Sequence, residues 1–298
     1  MEFLSARTLE AALQIKATRP EAVPIAGGTD LMVELNFDRH RPQAVLDVSA
    51  VPELARWRRE NGSVFLGAGV TYARIMRELP DLVPLVQASR TVGSPQIRNR
   101  ATVGGNLGTA SPAGDALPVL AAYDAEIVLG SGSGSGSGPG SRSLPWNEFL
   151  TGPKQTALRA EELILGARWK AVRGPGSFSK IGTRNAMVIS VAGLCLQLDE
   201  DRRGVRVALG SVGPTVLRAP EAEAFASLAM ERAGAWDDPV APLPADDMTE
   251  FGERVAAAAR PIDDVRGSAA YRRHACAVLA RRALAWALAD RRGEEVPG

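Results

Sequence analysis

The chain has 298 residues, 45% of them apolar and 23% charged, with a net charge of +1. That length and balance suit two domains, each burying its own core, and make no electrostatic case for nucleic acid or an anionic membrane as partner. Cys195, Cys276, His40 and His274 each stand alone, so a disulfide framework, an iron–sulfur motif and a metal-ligand cluster are all excluded.

No apolar run reaches the length of a membrane span and residues 1–7 lack the core of a signal peptide, so a reducing cytoplasm is the expected compartment. Thr8 is placed to cap a helix through residue 16, which Pro20 closes. Residues 23–26 read as a buried strand running into Ile25-Ala26-Gly27-Gly28-Thr29-Asp30-Leu31, with a helix expected over residues 30–37. After a short strand at 44–48, Asn61-Gly62 sits between two alternating runs and predicts a two-residue hairpin. Gly67-Ala68-Gly69 lacks the third glycine of a dinucleotide fingerprint, and Thr71 reads instead as the cap of a helix to residue 79. A helix over 82–92 then delivers the chain to Ala101-Thr102-Val103-Gly104-Gly105-Asn106-Leu107-Gly108-Thr109-Ala110-Ser111-Pro112-Ala113-Gly114-Asp115.

A helix at 116–123 and a strand at 125–129 precede a Gly-Ser run over 130–140, which is expected to be a flexible surface loop inside the first domain. Arg142 lies in the strand after it, followed by a helical turn at 146–150 and a strand at 162–169. Arg173-Gly174-Pro175-Gly176 reads as a linker, so the domains are 1–173 and 174–298. Beyond it the pattern predicts strands near 178–182, 188–198 and 205–210, and helices over 221–233, 249–259 and 271–289.

The two glycine stretches hold hardly a large apolar side chain and add little to a core. Adjacent glycines admit φ > 0 and let the backbone approach a ligand closely, and N–H groups that converge in a turn suit a pyrophosphate. The expected helix after Asp30 adds its positive end. A ligand-free Gly-Gly turn is the alternative for either stretch alone; the two together carry more weight. On chemistry alone Asp115 could equally cap a helix, Thr29 and Asp30 could start one, Asn106 and Thr109 could cap their own loop, and Lys180 could be an ordinary exposed lysine. No nucleophilic triad, acid–base pair or other catalytic residue is visible.

Ala26-Gly27-Gly28-Thr29-Asp30-Leu31 and Ile97-Arg98-Asn99-Arg100-Ala101-Thr102-Val103-Gly104-Gly105-Asn106 together resemble the flavin subunits of molybdenum hydroxylases, such as those of carbon monoxide dehydrogenase and xanthine dehydrogenase. The resemblance runs over nearly the whole chain. It implies an α+β fold: a two-lobed FAD-binding domain of the vanillyl-alcohol oxidase/PCMH type, then a C-terminal domain with a three-stranded antiparallel sheet and helices. It places FAD on Ile25, Ala26, Gly27, Gly28, Thr29, Asp30 and Leu31 of the first stretch. On the second it places Ile97, Ala101, Thr102, Gly104, Gly105, Asn106, Gly108, Thr109, Gly114 and Asp115. Asp115 would meet the sugar–phosphate part, Ile164 would add apolar contact, and Lys180 would reach the flavin and stabilise its reduced, anionic ring. Arg184 and Phe178 are weaker candidates of the same kind.

The implied role is electron transfer, from the 2Fe-2S clusters of a small partner subunit to an external acceptor, with substrate oxidised on a large molybdopterin-binding subunit. The implied assembly is a dimer of heterotrimers. An NAD-reducing flavin subunit and a stand-alone FAD oxidoreductase of the same fold remain the alternatives, and the substrate is not legible in this chain.

Overall fold

The computed structural model describes residues 1–132 and 140–296. The chain opens with strand β1 (Glu2–Ser5), too short for its two apolar residues, Phe3 and Leu4, to announce it. Helix α1 (Leu9–Thr18) is capped as expected by Thr8, whose hydroxyl accepts from the Ala11 amide at 3.2 Å. Strand β2 (Val23–Ile25), helix α2 (Leu31–Asn36) and strand β3 (Ala44–Asp47) follow. Strands β4 (Trp57–Glu60) and β5 (Ser63–Gly67) form the expected hairpin, and Asn61 and Gly62 both take positive φ, 50° and 67°, as a type I′ turn requires.

Helices α3 (Tyr72–Glu78), α4 (Val83–Thr91), α5 (Pro95–Arg100), α6 (Val103–Thr109) and α7 (Ala116–Ala122) run in succession. Strands β6 (Glu126–Ser131) and β7 (Gly140–Pro145), the helical turn α8 (Trp146–Phe149), the hairpin of β8 (Leu150–Gly152) and β9 (Gln155–Thr156), and the long β10 (Glu162–Lys170) come next. The remainder is β11 (Gly176–Ile181), β12 (Ala192–Asp199), β13 (Gly204–Gly210), β14 (Leu217–Arg218), α9 (Pro220–Arg232), α10 (Ala245–Ala258) and α11 (Ala269–Arg291).

By packing, these elements separate into two compact units. Unit one takes Met1–Glu78, Gly93–Ser111 and Asp124–Lys170; unit two takes Leu79–Val92, Pro112–Tyr123 and Ala171–Gly298. Chain order alone assigns residues 1–173 to one domain, a different division from this one by packing.

In unit one, β1, β3 and β2 pair in parallel in that order, while β4-β5-β10-β6-β7 form an antiparallel sheet. Ala12 and Leu13 of α1 pack with Leu46, Val48 and Leu163 in one apolar cluster. Arg142 donates through Nε and a terminal nitrogen to the buried Glu162 carboxylate at 2.6 and 2.9 Å, and also to the Ala157 carbonyl. The expected Gly-Ser loop is narrower than its composition suggested. Gly130 and Ser131 belong to β6 and pair with Ser141 and Gly140 of β7, because backbone pairing needs no side chain. Residues 133–139 of that run lie outside the described residues.

In unit two, β11-β12-β13-β14 form an antiparallel sheet, so the three expected strands gain a two-residue edge strand. Every residue of β12 is buried. Leu194, Leu196 and Leu198 join Met230, Phe251 and Leu284 of α9, α10 and α11 in one core. Helices α4 and α7 also pack on this sheet. Gly210 leaves room for α7: a Cβ there would come within 2.8 Å of Pro118 Cγ. A sheet buried this completely needs both layers of cover, which is why two segments from the first half of the chain join this unit.

One expected strand is shortened. β12 begins at Ala192, not at residue 188, because the chain first makes a loop closed by the Val191 amide donating to the Ile181 carbonyl at 2.7 Å. Met187 in that loop has φ 49°, which no strand accommodates.

Candidate cofactor-binding site

The first glycine stretch leaves β2 as a bend. Gly27 is required by space: a Cβ would lie 1.9 Å from the Arg100 carbonyl oxygen. Gly28 is required by conformation, with φ +76°. Among the described residues, no acceptor takes the main-chain N–H groups of Gly27, Gly28, Thr29 or Asp30. A run of unpaired amides in a bend that includes a left-handed residue leaves donors available to an anion. Asp30 caps α2 by position only; its carboxylate instead accepts from the Thr109 hydroxyl at 3.0 Å.

The second stretch differs from the expected loop: Val103–Thr109 is helix α6. The Thr102 hydroxyl accepts from the Gly105 amide at 3.0 Å, Val103 donates to the Val70 carbonyl, Gly104 to Ala68, and Asn106 to Thr102. The first four amides of α6 are thereby used inside the protein and offer an anion nothing. Three glycines in one short helix each cost about 1 kcal/mol of helix propensity, so packing or a ligand must account for them. Gly104 is explained by packing, since a Cβ would come within 2.6 Å of Ala68 Cβ. Gly105 and Gly108 are not: both are exposed, and the nearest atoms to an added Cβ would be Thr102 Oγ1 at 3.2 Å and Ile164 Cδ1 at 3.6 Å. They lie three apart, on one face of the helix. Between them Asn106 buries its side-chain oxygen, and no hydrogen bond satisfies it. A buried amide oxygen without a protein donor needs one from an ordered water or a ligand.

The structure brings most of the sequence candidates together in unit one. Gly27 abuts Arg100, next to Ala101; Asp30 is bonded to Thr109; Ile25 lies against Gly28; Ile164, at an irregularity of β10, lies against Gly108. Ala26, Thr29, Leu31, Thr102, Gly104, Gly105 and Asn106 complete this cluster, and Ile97 stands exposed on α5.

Gly114, Asp115 and Lys180 belong to unit two. Asp115 does not cap α7 with its side chain. Its carboxylate instead receives Lys180 Nζ at 2.6 Å and the Thr91 hydroxyl at 2.9 Å, while Lys180 also donates to the Thr91 carbonyl at 3.1 Å. Both side chains are more than nine-tenths buried. Burial pushes the Asp115 carboxyl above its ordinary value, opposed by the Lys180 charge and the two hydrogen bonds. Thr91 was not a sequence candidate, and no local signal links it to a carboxylate so far along the chain. Phe178 is buried, and its amide donates to the Gln87 side chain at 2.8 Å. Arg184 donates to the carbonyls of Ala186 and Met187 in its own loop. Cys195 and Cys276 are buried, and burial raises both thiols, Cys276 to about 12. Among the described residues no group of His, Cys, Asp and Glu side chains could hold a metal ion, and no helix is long and apolar enough to cross a membrane.

A bend of unpaired amides beside a helix face stripped of side chains, on an α+β scaffold, leaves hydrogen-bond donors and open backbone available to a phosphate-bearing ligand. Residues 1–168 match the family described as the FAD binding domain in molybdopterin dehydrogenase, and the chain belongs to that family. It is 33% identical to the nicotinate dehydrogenase FAD-subunit of Eubacterium barkeri, over 68% of this chain and 70% of that one. It is 28% identical to the xanthine dehydrogenase FAD-binding subunit of Escherichia coli O157:H7, over 97% and 96%. Its fold matches carbon monoxide dehydrogenase from Hydrogenophaga pseudoflava, in a form lacking the Mo-pyranopterin moiety, at a TM-score of 0.81 with 23% identity and 98% of each chain covered. The chain is therefore an FAD-binding oxidoreductase subunit of the molybdenum hydroxylase type.

Proposed function

We propose that this chain relays electrons inside a molybdenum hydroxylase, from the 2Fe-2S clusters of a small partner subunit to an external acceptor. Substrate is oxidised on a large molybdopterin-binding partner, and two such heterotrimers pair. Support comes from the family, and from the cofactor cradle built by the two glycine stretches. The carrying observation is the conjunction of free amides at residues 27–30 with the bare Gly105–Gly108 face and the unsatisfied Asn106 oxygen.

In this reading the amides of Gly27 to Asp30 hold the pyrophosphate. Gly105 and Gly108 let the nucleotide lie against the helix backbone, Asn106 accepts from it, and Ile25 and Ile164 supply apolar contact. Thr109 keeps the Asp30 carboxylate occupied, away from the phosphates. For Ile97, Gly114, Asp115 and Lys180 the support is the family resemblance alone, and any contact with FAD must accommodate the Lys180–Asp115 ion pair. Bound FAD supplies the redox chemistry; the protein positions it and tunes its surroundings. Residues 1–173 are assigned to the FAD-binding domain and 174–298 to the C-terminal domain of the relatives, a division by chain order that cuts across the packing units.

The test is spectral and kinetic. The purified full chain should carry or take up FAD, and should reduce no dye with a hydroxylase substrate until the partner subunits are added. A chain that stays colourless in excess FAD, or one that oxidises substrate alone, overturns the reading. The likeness to a xanthine dehydrogenase subunit favours a second reading, exchange of hydride with NAD. Stopped-flow mixing with NADH separates the two, since only the second predicts rapid bleaching of the flavin.

A further inference from the structure

Unit two carries a cluster of large apolar side chains in solvent that its own core does not need. Val265 is 102% exposed and Ile262 71%, and Met187, Ile189 and Tyr271 are about half exposed or more. They rise from two loops, residues 182–191 and 260–268, and from the first turn of α11.

The loops share one anchor. Arg272, almost wholly buried, donates to the Val191 carbonyl at 2.6 Å, to the Ser211 carbonyl at 2.9 Å and to the Gly267 carbonyl, and pairs with Asp264 at 2.6 Å. The loops also touch, since a Cβ at Gly267 would come within 3.3 Å of Val191 Cγ1 and 3.5 Å of Tyr271 Cδ1. Met187 holds a left-handed conformation, φ 49°, with Arg184 donating to its carbonyl and to that of Ala186. A left-handed methionine is strained backbone, held here by the hydrogen bonds from Arg184. A buried guanidinium fixing two loops with apolar tips describes a preorganised interface.

Cations outnumber anions around the cluster. Arg184, Arg260 and Arg273 are exposed, Asp264 is balanced by Arg266 and Arg272, and Asp263 accepts from the Ala269 amide at the start of α11. The cations are all arginines, whose planar forks suit carboxylates.

We propose that Met187, Ile189, Ile262, Val265 and Tyr271 form the docking surface for a partner subunit that presents an apolar centre ringed by carboxylates. The identity of the partner rests on the proposed function; the surface itself does not. An anionic membrane would offer the same mixture of chemistry. The relatives named as subunits, and a patch with neither tryptophan nor lysine, favour a protein.

The test uses the tagged full chain made with its neighbouring reading frames. A photo-reactive benzoylphenylalanine in place of Val265 should cross-link to a subunit that co-purifies in fixed ratio. The pair Ile262→Asp and Val265→Asp should lower recovery of that subunit at least about tenfold, with flavin absorbance per chain and circular dichroism unchanged. Raising salt from about 50 to about 500 mM should shorten the life of the wild-type complex. If the aspartate pair loses its circular dichroism, Arg260→Glu with Arg273→Glu carries the same comparison. The proposal is overturned by full recovery of the partner with either variant, by cross-links only within the chain, or by wild-type protein that sediments with phosphatidylglycerol vesicles while the aspartate variant does not. A chain without flavin refutes the proposed function instead, and leaves the cross-link to decide the surface.

Discussion

At Gly27 a Cβ would strike the Arg100 carbonyl oxygen at 1.9 Å, and at Gly104 one would strike Ala68 at 2.6 Å; in both glycine pairs the first member is there because the backbone has no room. The second members diverge. Gly28 supplies a positive φ within a bend whose amides are unpaired, whereas Gly105 sits in a helix whose amides are all taken and whose surface is open. The pairs thus contribute different things to one site: hydrogen-bond donors from the bend, and freedom from side chains from the helix. Identical dipeptides carry the same conformational permission, but the surrounding hydrogen bonds decide how it is used.

The largest expected effect comes from Gly27→Ala, because the clash is with fixed backbone. A loss of about 4 kcal/mol or more, or no folded protein, should appear in thermal denaturation, and near-normal stability would break the packing explanation.

Lys180→Met sharpens the comparison from outside the motifs, by asking whether a charge in the other unit acts through folding or through cofactor. It leaves Asp115 buried without its cation, a loss of about 3 kcal/mol near neutral pH. The sign with pH follows from burial. A carboxyl raised above its ordinary value stabilises the fold below the unfolded aspartate value and loses that contribution as pH rises through the raised one. Removing the lysine raises it further, so the deficit of the variant should grow as pH climbs from the ordinary aspartate range towards neutrality, and adding Asp115→Asn should flatten it. Denaturant titrations across that range would show it.

Gly104→Ala sets an overpacking cost of about 1–3 kcal/mol against roughly 1 kcal/mol of improved helix propensity, for a modest net loss. Gly108→Ala is the smallest in stability and the most telling. With only Ile164 Cδ1 at 3.6 Å, the added methyl should stabilise the helix by up to about 1 kcal/mol while weakening FAD retention. Equal FAD affinity in the two proteins, measured by flavin fluorescence, would remove the ligand explanation for the bare face.

The strong local signals were legible. Asn61-Gly62 specified its turn, Thr8 its cap, and the apolar period of residues 271–289 the closing helix. The short β1 is not legible because its pairing with β3 is long-range and its own side chains are mostly exposed. Val188 and Ile189 read as strand by propensity, yet the loop around Arg184 overrides them. The second glycine stretch read as a loop because glycine disfavours helix, while the capping Thr102 and the carbonyls of Ala68 and Val70 that fix it are set by tertiary contact. The candidate list found the carboxylate and the lysine of the buried ion pair. It could not find their mutual contact or Thr91, since both depend on which sheet α4 and α7 cover.

That cover has a consequence for how the polypeptide is made. α4 and α7 leave the ribosome well before the strands they are to shield, so Leu85, Val86, Leu117 and Leu120 must wait, uncovered, until the region after Lys170 has been synthesised. A fragment beginning at residue 171 would meet the opposite problem, exposing the surface around Gly210 where Pro118 should rest. Nascent chains of this protein should therefore depend on chaperones in the middle of translation, and limited truncation from either end should yield aggregates in place of a smaller working module.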